Sequence, residues 1–301
     1  MSPTLLYTVP HHASFGVPIA LYIFFTGLSA GSFLLSTLSY GFGMDRYRAL
    51  SLPGIVTAFV MLAVAPIFLL VHVGQPLRVW HLFFFLNPRS PITWGSFLLV
   101  LYPVLCLLYG YATVQGDVRA ARGLGLAGIP LAISVHAYTG FILSFCACRP
   151  LWHTALMPVL FLVSAVASGT ALMILLSAAL ECTRARRIAL GVETKRTIDS
   201  LAVILAWVLV VDIVLTACEV LTGLAAGGHK AEAVRLLLDG PFRLAFLGGE
   251  MVLGKFVPLA VLAVPRFRTA GAVLAASALV VAGILLMRLD IVVAGEYIPL
   301  L

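Results

Sequence analysis

Charge is what this sequence has least of. Among 301 residues there are 12 Asp and Glu and 19 Lys and Arg, so 10% of the chain is charged while 62% is hydrophobic. Soluble chains carry roughly 25% charged and about 45–50% apolar residues, and an ordinary soluble domain is excluded. Cysteine is sparse too. The five are Cys106, Cys146, Cys148, Cys182 and Cys218, with one Cys-Ala-Cys and no Cys-x-x-Cys pair, a set that encodes neither an iron–sulfur cluster nor a zinc site. Residues 1–14 hold no Lys or Arg, so the basic start of a signal peptide is missing and no cleavage is expected. The formal net charge of +7 is spread one to five residues at a time through short loops. That is how orientation signals are placed, and nucleic acid is not an expected partner.

What the chain has in abundance is long apolar sequence. Spans at about 15–42, 51–74, 93–114, 123–146, 155–180, 199–226, 241–264 and 269–293 are each long enough for a hydrocarbon layer of about 30 Å. They are rich in Leu, Ala and Val without polar alternation, which selects helices over a barrel, the two structures that satisfy every backbone group in lipid. The fold class read from the sequence is therefore an all-α integral membrane protein of about eight transmembrane helices. Numbering the loops alternately puts five cations on the N-terminal side (Arg78, Arg89, Arg149, Lys230 and Arg235) and eleven on the other, including Arg186 and Arg187. By the positive-inside rule the eleven face the cytoplasm and both termini face outward.

The outer loop of about residues 75–92 reads Gln75-Pro-Leu-Arg-Val-Trp-His-Leu-Phe-Phe-Phe-Leu-Asn-Pro-Arg-Ser-Pro91. Trp80, Phe83, Phe84, Phe85 and Trp94 suit an interfacial aromatic belt. His72, Arg78, His81 and Arg89 add polar donors at the mouth of an apolar cavity, an arrangement that fits a quinone head-group. Each carbonyl of such a head-group needs a hydrogen-bond donor, and the redox chemistry needs a proton donor or acceptor in an apolar slot. Tyr22 of the first span and His136 and Tyr138 of the fourth lie at comparable depth in the outer half. They join His72, His81 and Trp94 as candidate head-group contacts, against the alternative of helix-to-helix hydrogen bonds. Arg78, Arg89 and Arg149 are expected to shape the outer mouth or to dock a partner.

Asp212, Glu219, Glu250 and Lys255 lie well inside apolar spans, where a charge costs at least about 2.5–3.5 kcal/mol. At about 1.5 Å per residue, Asp212 and Lys255 are each about 21 Å from the outer ends of their helices, with Glu219 and Glu250 shallower. Two readings follow. One is a line of protonatable groups forming a proton path; the other is a structural Asp212–Lys255 ion pair with two neutral glutamates. Arg243, Arg288 and Asp290 sit near outer helix ends, where they are expected to snorkel or to meet a partner. Small-residue edges at Gly27-Leu-Ser-Ala-Gly31 and at Ser164, Ser168 and Gly169 suggest two four-helix bundles, residues 1–180 and 199–301 of one membrane domain, joined by the basic loop 181–198.

Three stretches resemble the NrfD/polysulfide-reductase membrane-subunit family: Thr26-Gly-Leu-Ser-Ala-Gly31, Trp80-His-Leu-Phe with Asn87-Pro-Arg-Ser-Pro-Ile-Thr-Trp-Gly95, and Tyr138-Thr-Gly with Arg149-Pro-Leu-Trp152. The resemblance is sharp in the first five helices and rests on pattern in the last three. It implies a quinone-reactive subunit of a bacterial or archaeal cytoplasmic membrane, using menaquinone or ubiquinone and holding no haem. The implied partners are a ferredoxin-like iron–sulfur subunit on the outer face and a catalytic subunit, either a molybdopterin oxidoreductase or a multihaem cytochrome c. By the same resemblance Tyr138 matches the family's quinone-contacting tyrosine, and Tyr22 stands roughly where polar residues of helix one do. Ile19 departs from it, being apolar where relatives can be polar. Two other functions stay open. A haem b anchor would need buried histidines, of which only His72 and His136 qualify, and a secondary transporter would use the buried Asp, Glu and Lys residues, with Gly227-Gly228 and Gly248-Gly249 as helix breaks.

Overall fold

The computed structural model describes residues 15–73, 75–185 and 191–297. Residues 1–14, on which the expectation of an uncleaved start rests, lie outside them, as do Arg186 and Arg187 of the basic loop. The described residues are all-helical, and eight helical stretches are long and apolar enough to cross a membrane. In chain order the helices are α1 (Val17–Tyr40), α2 (Arg48–His72), a one-turn α3 (His81–Phe84), α4 (Pro91–Gln115), α5 (Val118–Ser144), α6 (Met157–Ala185), α7 (Val192–Ala226) and a short α8 (Gly228–Leu238). A π-helix (Leu244–Phe256) then runs into α9 (Val257–Ala263), and α10 (Ala270–Tyr297) completes the set. The ends agree with the apolar spans to within a few residues, except that α7 starts at Val192, adding a polar turn around Glu193, Lys195 and Arg196. The protein is an integral, multi-pass membrane protein.

Local chemistry sets the boundaries. Pro91 opens α4, where a missing amide N–H costs nothing. Gly116, at φ 74°, ends that helix in the left-handed region, and the next residue, Asp117, caps α5 by accepting from the Arg119 and Ala120 amides at 3.1 and 3.0 Å. The connection is therefore two residues long and holds α4 antiparallel to α5.

The interior is organised around α1, whose apolar window is 83% buried and which packs against α2, α5, α6 and α10. Lipid supplies no hydrophobic drive between helices, so close approach and hydrogen bonds must hold them. Both are present along α1. A methyl group on Gly31 would strike the Ala165 carbonyl and Gly169, and one on Gly169 would strike the Gly31 backbone, so the two small-residue edges noticed in the sequence face each other. Ser29 Oγ donates to the Ala58 carbonyl at 2.7 Å, and the Tyr109 hydroxyl of α4 donates to the Ser36 carbonyl at 3.0 Å.

A second close crossing joins the π-helix to α10, where Gly254 and Gly283 meet backbone to backbone. The wider winding of the π-helix has a specific effect. At 3.6 residues per turn, residues five apart point about 140° from each other, whereas an i→i+5 ladder brings the fifth residue back over the first. Glu250 and Lys255 are five apart and come into contact.

Candidate functional site

The starts of α1, α4 and α6 and the ends of α2, α5, α7 and α10 share one end of the molecule, here the N-terminal face. Two contacts fix this arrangement. The Phe15 amide donates to Glu296 Oε1 at 2.6 Å, and Arg149 Nη1 donates to the Glu296 carbonyl at 3.1 Å.

Tyr138 lies about 9 Å below the end of α5 at 1.5 Å per residue, half-buried. Its ring lies against Gly95 in the first turn of α4, so closely that a methyl group there would fall inside the phenol. Tyr22 of α1 is buried at 6% exposure, and the two phenols are near enough to interact electrostatically. Among the described residues neither hydroxyl has a hydrogen-bond partner. Neither phenol oxygen is sealed inside the protein, so both hydroxyls are open to donate to an incoming ligand. The carbonyl oxygens of a quinone are acceptors that fit them.

The other sequence-predicted residues distribute unevenly around this pair. His72 is half-buried at the end of α2, its ring 5.7 Å from that of Phe15, which also lies 5.5 Å from Trp152. His81, the first residue of α3, meets the Trp80 ring edge-on with the centroids 4.0 Å apart. Trp94 is 60% exposed and donates from Nε1 to the Pro88 carbonyl at 2.9 Å. Arg78 and Arg89 are exposed, whereas Arg149 is buried and reaches α10. Beside it Trp152, 1% exposed, donates to the Ile291 carbonyl at 2.7 Å and lies against Gly295. In the same loop, partial burial and the neighbouring Cys148 push the Cys146 thiol above its ordinary pKa, against the pull of Arg149. His136 is fully buried, with Nε2 2.9 Å from the Phe161 carbonyl and Nδ1 3.4 Å from Thr26 Oγ1.

Deeper in the second half of the chain the ionisable residues cluster. Lys255 Nζ is 2.9 Å from Asp212 Oδ2, 2.8 Å from Glu250 Oε1 and 2.9 Å from Thr216 Oγ1, and all four residues are buried. Glu219 stands apart, accepting from Thr154 at 2.9 Å with Lys230 at 3.8 Å. Two sequence expectations are corrected. Arg288 does not snorkel: it is 0% exposed, donates to Ser164 Oγ at 2.6 Å and the Phe161 carbonyl at 3.1 Å, and lies 3.8 Å over the Phe161 ring. Asp290 is 4% exposed. The two point about 200° apart around α10, and both are enclosed because that helix packs against α1 and α6 as well as against α8 and the π-helix, which the distance from the helix end does not reveal. Arg288 also acts electrostatically on Asp212 and Glu250, so two cations stand with two carboxyls in this layer.

The description "Polysulphide reductase, NrfD" belongs to the family model that matches residues 8–299 of this sequence. The chain belongs to the NrfD family. Protein NrfD of Escherichia coli (strain K12) is 28% identical, over 93% of this chain and 94% of that protein. A selenate reductase subunit of Mesobacillus selenatarsenatis is 31% identical over 55% of this chain and 48% of the relative. The Hdr-like menaquinol oxidoreductase integral membrane subunit of Archaeoglobus fulgidus is 30% identical over 50% of this chain and 38% of the relative. The chain thus spans about half or less of the length of these last two relatives. Within this NrfD-family chain, sequence reasoning singles out Tyr138, Tyr22 and the charged residues of α7 and the π-helix. It misses Gly95, Thr216, Arg288 and Asp290 as parts of the interior sites. The signal for Gly95 is present in the Trp94-Gly95 pair, since a glycine in a first helical turn marks a close approach.

Proposed function

We propose that this chain is the quinone-reactive membrane subunit of a respiratory oxidoreductase. It passes electrons between menaquinol or ubiquinol and an iron–sulfur subunit docked on the N-terminal face, with a molybdopterin enzyme or a multihaem cytochrome c completing the complex. On this reading the N-terminal face and both termini lie outside the cytoplasm of a bacterial or archaeal cell. The observation that carries it is the pair of unpartnered phenols, Tyr22 and Tyr138, at that end of the bundle. When bound, the quinone supplies two-electron, two-proton chemistry. The chain's own residues bind and orient it: Tyr138 and Tyr22 donate from their hydroxyls, His72 and His81 serve as proton acceptors nearer the surface, and Trp94 walls the entrance. Arg78 and Arg89 present charge to the partner, while Arg149 holds the α5–α6 loop against α10. The menaquinol named for the Archaeoglobus relative supports this choice of substrate class.

The eight spans divide, on the same reading, into two units, five spans before the basic loop and three after it. The first, residues 1–180 with α1, α2, α4 and α5 at its centre, holds the phenols. The second, 199–301, holds Asp212, Glu219, Glu250 and Lys255 as a proton path. A haem b anchor is disfavoured because His136 already spends both ring nitrogens on Phe161 and Thr26. A secondary transporter is favoured by the buried ions alone.

Purification in mild detergent from the native membrane separates these functions, with mass spectrometry of co-purifying chains, a visible spectrum and quinone extraction from one sample. The expected result is an iron–sulfur protein and extractable quinone with no haem band belonging to this chain. A lone chain without quinone would instead favour the transporter. A finer prediction concerns the seat of Tyr138. Gly95→Ala places a methyl group where the phenol lies and is expected to lower quinol turnover about 10-fold, the effect of roughly 1.4 kcal/mol of misplacement. Gly123→Ala, with open space around it, is expected to match the wild type in the same assay.

A further inference from the structure

Asp290 has no role in the functions described so far, yet its surroundings are unusual. Among the described residues its carboxyl forms no hydrogen bond and no ion pair, and Oδ2 is buried without a partner. In a membrane interior such a group requires compensation. Beside it lies a cavity of about 40 Å³, bounded by Thr216 and Glu219 of α7, Glu250 of the π-helix, and Met287 and Asp290 of α10. Three carboxyl-bearing residues and a threonine stand around it, yet the surface turned to the cavity is almost wholly apolar and Asp290 Oδ2 and Glu219 Oε1 are sealed from it. Water does not reach these oxygens, so their compensation must come from protonation.

The charges around the cavity are one short. Glu219 has Lys230 of α8 at 3.8 Å, and Glu250 has Lys255 at 2.8 Å, which is already shared with Asp212. Arg288, on the same helix as Asp290, donates from Nη2 to Ser164 and Phe161, leaves Nε and Nη1 without a partner among the described residues, and acts on Asp212 and Glu250, so Lys230, Lys255 and Arg288 stand against the four carboxyls Asp212, Glu219, Glu250 and Asp290. From α6 only apolar residues such as Met157 and Leu160 reach the cavity. Asp290 and Glu219 are each seven residues from the N-terminal-face ends of α10 and α7, about 10 Å deep, so they occupy one layer above the Lys255 cluster.

We infer that Glu219, Glu250 and Asp290 together bind one excess proton around this cavity, and that Asp290 joins Glu219 to the Lys255 cluster. The inference rests on the proton path proposed above and adds the group that makes it continuous. Sodium is the other monocation with the required charge, and the test separates the two.

The full-length chain in lipid nanodiscs is examined by difference infrared spectroscopy across a pH titration, reading the carbonyl band of protonated carboxyl side chains. One such band is expected at neutral pH, lost in Asp290→Asn, shifted in Glu219→Gln, regained in Asp290→Glu and unmoved when choline chloride is exchanged for sodium chloride. Survival of the band in Asp290→Asn overturns the site, as does its disappearance with proton release on adding sodium. Asp290→Glu and Glu219→Gln supply the same decision if the Asn variant does not fold. Because no turnover is needed, the proton path is judged separately. Loss of the band in Asp290→Asn together with wild-type quinol turnover and proton movement upholds the site and removes the path.

Discussion

Tyr138→Phe is expected to lower quinol oxidation by the purified complex about 100-fold, the lower end of what a positioned proton donor contributes, while leaving expression and thermal midpoint unchanged. The two halves of this expectation have separate physical grounds. The ring that rests on Gly95 is retained, so the packing between α4 and α5 survives. The hydroxyl that is removed has no protein partner among the described residues, so no internal hydrogen bond is broken. Steady-state kinetics with a soluble quinol analogue check the first half and detergent-solution melting the second. A loss of stability with unchanged turnover would assign Tyr138 to packing and remove it from the site.

Lys255→Met has the opposite signature. It strips the cation from Asp212 and Glu250, at 2.9 and 2.8 Å, in a layer where all three are buried. Removing one partner of a buried ion pair costs about 3–5 kcal/mol, because the remaining charge stays desolvated. The single variant is therefore expected to accumulate poorly and to melt well below the wild type. Adding Glu250→Gln leaves the Asp212 carboxyl with the Arg288 cation, a balanced layer, and is expected to recover most of that stability, since replacing a buried ion pair is often close to neutral. Turnover in the double variant divides the two readings of the cluster. Recovery along with stability makes it a structural lock between α7 and the π-helix, and continued failure makes it part of a proton path.

Apolar runs separated by short polar loops are a direct physical statement about lipid, which is why the eight spans are legible in the sequence to within a few residues, the start of α7 excepted. Depth is legible for the same reason: counting residues places Asp212 and Lys255 in one layer, and they form an ion pair. Winding and facing are not. Nothing in Leu244–Phe256 declares an i→i+5 ladder, although the Gly248-Gly249 pair and Gly254 mark a segment free to depart from the α-helix. Arg288 and Asp290 read as interfacial because they stand near a helix end, whereas their burial is decided by the helices that enclose α10 on more than one side, information carried by those partners. At the phenol site Tyr22 and Tyr138 are legible by depth, but the seat that holds Tyr138 depends on an absent side chain, Gly95, which hydropathy does not register.

The enclosure of α1 has a consequence for biogenesis. Of the eight described spans α1 is made before the other seven and is the one whose surface is most completely covered in the finished protein, and part of that cover comes from α6 and α10, the latter made after the other described spans. At about 5–20 residues per second, the interval between the end of α1 and the end of α10 is roughly 10 to 50 s. Throughout that time Ser32, Gly31 and Thr26 face lipid or whatever protein shelters them. A helix so poor in lipid-facing surface is a natural client for an insertase that retains early segments until later ones arrive, and its orientation in the bilayer commits the topology of the seven spans that follow.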